Sequence, residues 1–236
     1  MTDTTPDAMI QLDRVSHRYD GKQGRVDALK DISLSFAPGE LALINGPSGS
    51  GKSTLLLAVG AMRRPTSGTV SINGADLYAQ NAASRASFRA SEIGFVFQTL
   101  NLIPYLSAFD NVMLAAPPAA QKQRATRDRA RQLLTDLGLA DRLHHKPGQL
   151  SQGERQRAAI ARAMLNEPKV ILADEPSGNL DPDNAHAAFA ALRGFADAGG
   201  TVLVATHSTL HDEQADRVVT LRGGVVAQSK EVGATV

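Results

Sequence analysis

The run Gly46-Pro47-Ser48-Gly49-Ser50-Gly51-Lys52-Ser53-Thr54 constrains this chain more than any other stretch, because it fits the phosphate-loop pattern G-x-x-x-x-G-K-[ST]. Its surroundings agree: residues 40–45 read as an apolar strand and residues 52–62 as a helix stopped by Pro65. Strand, glycine loop and helix in that order make a cradle for phosphate. Glycines let backbone N–H groups turn inward around phosphate oxygens, and a helix start adds unpaired donors and the positive end of its dipole. Lys52 is placed to neutralise the β and γ phosphates of a nucleoside triphosphate. The Ser53 hydroxyl is placed to hold Mg²⁺, a hard ion that prefers oxygen ligands. A plain Gly/Ser turn is the bland alternative, and it leaves the strand and helix context without a purpose.

Two further runs gain meaning beside the loop. Val170-Ile171-Leu172-Ala173 is a buried-type strand ending in Asp174 and Glu175, which suits ligands at the carboxyl edge of a parallel sheet. Asp174 is expected to reach Mg²⁺ directly or through water. Glu175, pointing the opposite way along the strand, is expected to polarise the water that attacks the γ-phosphate. Taken alone, such a pair is more often a solvated loop start. Upstream, Leu150-Ser151-Gln152-Gly153-Glu154-Arg155-Gln156-Arg157 reads as a helix start, with Ser151 as N-cap and Glu154 completing a capping box. By itself that is a helix start and nothing more.

The rest of the chain supplies the frame. Strands are expected at 10–19, 32–36 and 69–72, with turns at 20–24, 38–39 and Asn73-Gly74. Residues 85–165 read as mostly helical, broken by a strand at 93–97 and by Pro104, Pro117-Pro118 and Pro147-Gly148. The close alternates strands at 169–173, 201–205, 217–221 and 225–228 with a helix over 182–198. A length of 236 residues with 42% hydrophobic content suits one compound domain. Charges of 25 Lys+Arg and 24 Asp+Glu nearly cancel, so no global field draws the chain to nucleic acid or an anionic bilayer. With no cysteine, disulfides and thiolate metal sites are excluded. The opening residues carry Asp3, Pro6 and Asp7 without an apolar core, and the longest apolar candidate, 55–62, falls short of the ~18–20 residues of a membrane span. A soluble, cytoplasmic protein with no secretory signal is expected. Residues 122–131 read as a solvated basic helix face, and His144-His145 as an exposed loop.

The ordered set of motifs resembles the ABC ATPase family. In family order stand Tyr19, the phosphate loop, Gln98, the signature Leu150 to Glu154, Asp174-Glu175, the run Ser177-Gly178-Asn179-Leu180-Asp181, and His207. The resemblance implies an α/β fold: a P-loop NTPase (RecA-like) core with an antiparallel β subdomain and a helical insertion. One nucleotide-binding domain would span 1–236, with the core at about 1–97 and 167–236 and the insertion at about 98–166. It implies that Tyr19 stacks on adenine and that Gln98 links Mg²⁺ and water to the insertion. His207 would contact the γ-phosphate, and Ser151, Gly153 and Glu154 would face the ATP of a second copy, giving an ATP-sandwich dimer. ATP and Mg²⁺ are the implied cofactors. Gln152 stands where the family usually has the first of two glycines, and Glu154 where a glutamine is common, which bears on the fine geometry of the signature.

The stretch from Phe97 to Val112 is similar to that of the lipoprotein-releasing and macrolide-exporter branch, which also contains a cell-division ATPase. This implies a membrane permease partner and a peripheral place on the inner face of the cell membrane. Leu102, Ile103, Tyr105 and Leu106 around Pro104 would be the dock, local core of the insertion being the bland reading. The alternatives are a non-transporting membrane complex such as a cell-division regulator, a cytosolic mechanical ATPase, or a small-metabolite kinase. The kinase leaves the signature and His207 without a purpose.

Overall fold

The computed structural model of the protein describes residues 8–21, 24–178 and 180–232. The expectations for residues 1–7, for Lys22 and Gln23 in the first turn and for Asn179 lie outside the described residues. In chain order the elements are β1 (Ile10–Gly21), β2 (Gly24–Phe36), β3 (Leu41–Asn45), α1 (Lys52–Val59), β4 (Ser67–Ile72), β5 (Ala75–Asp76), α2 (Ala82–Glu92) and β6 (Ile93–Val96). There follow α3 (Ala108–Met113), α4 (Arg124–Asp136), α5 (Gln152–Met164), β7 (Val170–Asp174), α6 (Pro182–Asp197), β8 (Thr201–Thr206), β9 (Arg217–Arg222) and β10 (Val225–Glu231).

Successive side chains of a strand face opposite ways, so a strand buried on both faces is apolar throughout. β3 behaves so: Ala42 and Ile44 join one core cluster, Leu41 and Leu43 another. It lies inside a six-stranded sheet of order β10-β9-β3-β8-β7-β6, parallel except for the edge pair β9–β10. A second, antiparallel sheet has the order β2-β1-β4-β5. Leu55, Leu56 and Val59 of α1 share one cluster with strand residues of both sheets, such as Ile10, Ile72, Leu172 and Leu203. Burying each such leucine is worth about 1.5–3 kcal/mol, so α1 is held firmly between the sheets. On the other face, Ala188, Phe189 and Leu192 of α6 and Ile160 of α5 cover the parallel sheet. α5 also gives Ala158 and Ala161 to a third cluster with Val112 of α3 and Leu134 of α4. Among the described residues no helix is long and apolar enough to cross a membrane.

Several details differ from the sequence reading. β2 begins at Gly24 rather than Ile32, because its first half is largely exposed and shows no buried alternation. Arg14 and Asp31, at φ 48° and 53°, also interrupt the regular extended backbone of β1 and β2. α1 stops at Val59, capped by Gly60 and followed by left-handed Ala61 at φ 55°, well before Pro65. α2 starts at Ala82 because the Asn81 side chain accepts the Ser84 N–H at 2.9 Å. The basic segment is not simply solvated. Arg127 and Arg131 place guanidinium groups 5.0 and 5.2 Å from the Phe109 ring centre, and Arg129 donates to the Leu165 carbonyl at 3.0 Å, so α4 is tied to α3 and α5. The expected apolar patch around Pro104 shrinks likewise. Leu102 packs into two clusters, and buried Asn111 bonds the backbone of Ile103, Leu106 and Ser107, leaving Tyr105 at 73% exposure.

Candidate functional site

The phosphate loop joins the carboxyl end of β3 to the amino end of α1, two buried elements that hold it rigidly. Two of its glycines are required by close approach. At Gly46, with φ 149°, a Cβ would fall 2.3 Å from the Leu221 carbonyl oxygen, and at Gly51, with φ 107°, 2.4 Å from that of Ala28. Lys52 is buried, and its Nζ donates to the carbonyls of Gly46 at 2.7 Å and Pro47 at 3.2 Å, so the ammonium curls back over the loop. The buried Ser50 hydroxyl has no hydrogen-bond partner. A cradle that admits no side chain, an ammonium bent into it and an unsatisfied hydroxyl fit a bound polyphosphate.

Ser53, the next residue along α1, hydrogen-bonds the carboxylate of Asp174 at the end of β7. Burial pushes the Asp174 carboxyl up from its ordinary value, with the Ser53 bond and the Lys52 charge pulling it back and the Glu175 charge adding to the rise. A hydroxyl and a carboxylate side by side are an oxygen donor set that fits Mg²⁺. Glu175 departs from expectation. β7 ends at Asp174, and Glu175 takes a left-handed backbone at φ 48° with its N–H donating to the Ala205 carbonyl at 2.8 Å. This turn, rather than strand alternation, sets the direction of its side chain. Its Oε1 lies 2.9 Å from Nδ1 of His207, which follows β8; the Glu175 side chain is 12% exposed and that of His207 68%. Gln98, Glu175 and His207 line one cavity of about 330 Å³ together with Ser177 and Gly178. The Glu175 carboxylate in it is sheltered while His207 stands at the solvent side, an arrangement that suits activation of a water entering from solvent.

Tyr19 stands beside the loop, its hydroxyl 3.3 Å from that of Thr54. The Arg63 guanidinium lies over its ring at 5.3 Å, and His17 meets it edge-on at 4.7 Å. Arg63 was not foreseen, since nothing local to the sequence links residues so far apart.

Ser151 to Glu154 form a separate group. The Ser151 side chain accepts the Glu154 N–H at 3.2 Å, and Glu154 accepts the Ser151 N–H at 2.8 Å, so the expected capping box starts α5. The Ser151 N–H and Arg142, 2.9 Å away, hold the Glu154 carboxyl below its ordinary value. Gly153 is buried, and a Cβ there would fall 2.0 Å from Oδ1 of Asn184. Asn184 itself accepts from Arg157 at 2.7 Å and donates to Asp181, the N-cap of α6, at 2.7 Å. A side chain at 153 would therefore displace Asn184 from its bonds to Arg157 and Asp181, so Gly153 is the seat of α6 on α5 within the chain. Gln152 is exposed, so the departure from a glycine falls where a side chain can stand in solvent. Among the described residues no hydrogen bond or ion pair links this group to the phosphate loop of its own chain. Arg142 and Asn184 were missed; the Asp181-Pro182 cap that positions Asn184 was the one readable signal.

Ser151→Ala is expected to cost about 1 kcal/mol of stability, which lowers Tm by about 2–4 °C in a chain of this size. Because the folded Glu154 carboxyl lies below its unfolded value, its contribution is complete above that value and is lost as pH falls through the folded one. Glu154→Gln should therefore flatten the acid limb of Tm against pH, followed by circular dichroism. An unaltered limb would show that the carboxylate contributes nothing to the cap.

Comparison with known proteins bears on the whole chain. The family described as "ABC transporter" matches residues 29–178. The lipoprotein-releasing system ATP-binding protein LolD of Maricaulis maris is 45% identical over 92% of this chain and 96% of its own length. The macrolide export ATP-binding/permease protein MacB of Chromobacterium violaceum is 42% identical over 93% of this chain, which spans 34% of that protein. Among solved structures, the dimeric post-hydrolysis state of the ATP-binding cassette MJ0796, bound to ADP and Pi, is 34% identical with a TM-score of 0.87, covering 96% of this chain and 100% of that one.

Proposed function

The chain belongs to the ABC transporter family, and from that premise we propose that it is the ATPase subunit of a lipoprotein-release or export type of system, driving a separate membrane permease. The hydrogen-bonded pair Glu175 and His207, at 2.9 Å in one cavity with Gln98, is the observation that carries this reading. Residues Gly46 to Thr54 take the triphosphate, and Tyr19 stacks on the adenine once Arg63 yields its ring or moves to the far face. Ser53, Asp174 and Gln98 hold Mg²⁺, which supplies positive charge against the oxygens of the transferred phosphoryl group. Glu175 accepts the proton of the attacking water, and His207 fixes the carboxylate by its ring nitrogen. Lys52 stabilises the charge that develops on the departing diphosphate.

The signature group is satisfied inside its own chain through Arg142 and Asn184, yet the amino end of α5, at exposed Ser151 and Gln152, remains open. In this reading it meets the γ-phosphate held by a second copy, as in a head-to-tail dimer. The core divides at about 97 and 167 around the insertion of α3 to α5. The permease docks beside exposed Tyr105 and places the protein on the inner face of the cell membrane.

Affinity purification in mild detergent tests the proposal: an integral membrane subunit should co-purify, and ATP should yield free phosphate rather than a phosphorylated metabolite. Tyr105→Ala should reduce the recovery of that subunit, because a large exposed aromatic is the kind of side chain that anchors an interface. Recovery of soluble partners alone, or a phosphorylated small molecule, would overturn it.

A further inference from the structure

A second basic cavity lies away from the nucleotide site. It has a volume of about 460 Å³, within the range of small-molecule pockets, and Arg64, Arg85, Arg89, Tyr78, Ala82 and Ala86 line it. Ala61 and Met62, which also line it, follow the carboxyl end of α1. An eight-residue helix is about 12 Å long, so the cavity sits at the opposite end of α1 from the phosphate loop. A triphosphate gripped by that loop does not reach it.

Buried Tyr78 organises the arginines. Its hydroxyl sits between the Ala58 and Arg63 carbonyls, at 2.7 and 2.6 Å, which fixes the ring against the end of α1. The guanidinium groups of Arg64 and Arg85 lie over the ring at 5.3 and 5.6 Å. Burial pushes the Tyr78 hydroxyl up to about 12, against the pull of Arg85, the Arg63 carbonyl contact, Arg64 and Arg89. All three arginines line the one cavity with this ring.

Each of these arginines is also anchored by a single main-chain bond: Arg64 to the Tyr78 carbonyl, Arg85 to that of Gln80 at 3.0 Å, and Arg89 to that of Ala61 at 3.2 Å. Among the described residues no carboxylate pairs with any of the three, although Arg18, Arg142, Arg193 and Arg217 elsewhere in the chain each have at least one. A guanidinium has five N–H donors, so most of theirs are left for another acceptor. Three like charges around one cavity repel one another, and an anion between them removes that cost. The alanines at 82 and 86 leave the mouth open.

The geometry points to an anion site that takes a phosphate group, whose oxygens can accept bidentate bonds from guanidinium forks already fixed by Tyr78 and the backbone. Two sources share this chemistry, a soluble phosphomonoester and the headgroup of an anionic phospholipid.

Ala86→Glu tests it without removing any bond, since Ala86 is exposed at the mouth and a glutamate there competes with the anion. Calorimetric titration of the ADP-saturated chain with glycerol phosphate reports the soluble source. Sedimentation with phosphatidylcholine vesicles, with and without phosphatidylglycerol, reports the headgroup. Binding in either arm that Ala86→Glu weakens at least about tenfold, with Tm held or raised, supports the site and names its source. Binding of glycerol phosphate beside ADP in the nucleotide site would be untouched by Ala86→Glu. Absence of binding in both arms, or binding by Ala86→Glu and by the double variant Arg85→Gln/Arg89→Gln that equals that of the unsubstituted chain, overturns the proposal.

Discussion

Glu175→Gln is expected to lower ATP turnover by about 10²–10⁴-fold while ATP binding stays intact. The substitution keeps the shape of the side chain, and the amide oxygen can still meet His207 Nδ1 where Oε1 now lies at 2.9 Å. What it removes is the capacity to accept a proton. The side chain is 12% exposed, so bulk water has little access from which to substitute for it. Blocked after binding, the protein should accumulate as an ATP-bound dimer, visible by size-exclusion chromatography with ATP and Mg²⁺. Phosphate release at the unsubstituted rate would remove Glu175 from its role. A variant that is inactive yet stays monomeric with ATP at every concentration would instead count against the paired-subunit reading.

Lys52→Ala should behave differently, losing both binding and turnover. The Lys52 ammonium now rests on the Gly46 and Pro47 carbonyls at 2.7 and 3.2 Å, so the change also frees two acceptors of the loop. Hydrogen bonds to charged groups are worth about 1.5–3 kcal/mol each, which makes ATP binding roughly 10–100-fold weaker for one lost contact. Loss of charge stabilisation in the transition state lowers turnover further. A fluorescent nucleotide titration with a phosphate-release assay separates the two variants. Normal affinity in Lys52→Ala would count against the phosphate loop.

Residues that act over a few positions along the chain were legible before any coordinates. Gly46 and Gly51 stand where the backbone takes φ 149° and 107°, a local demand that the glycine pattern announces, although the Leu221 and Ala28 carbonyls that also exclude a side chain there come from distant parts of the chain. Ser151 and Glu154 are three apart, the separation at which a helix start satisfies itself, and their bonds are present. The apolar runs of β3, β7 and β8, bounded by turn residues, read as strands covered on both faces, and the structure places them in the parallel core. The first half of β2 was not legible, because an exposed strand has no buried face to write into its pattern.

The sequence by itself therefore determined most of the elements, the glycine loop between β3 and α1 and the kind of chemistry, since these depend on glycine stereochemistry, capping and apolar period within short windows. Only the tertiary structure decided which way Glu175 faces, that Gly153 seats Asn184, that Arg63 lies over Tyr19, and that Arg64, Arg85 and Arg89 line one cavity with Tyr78. The physical reason is that each of these turns on how separately formed elements meet. The burial of α1 between two sheets sets that meeting, and no local preference along the chain encodes it.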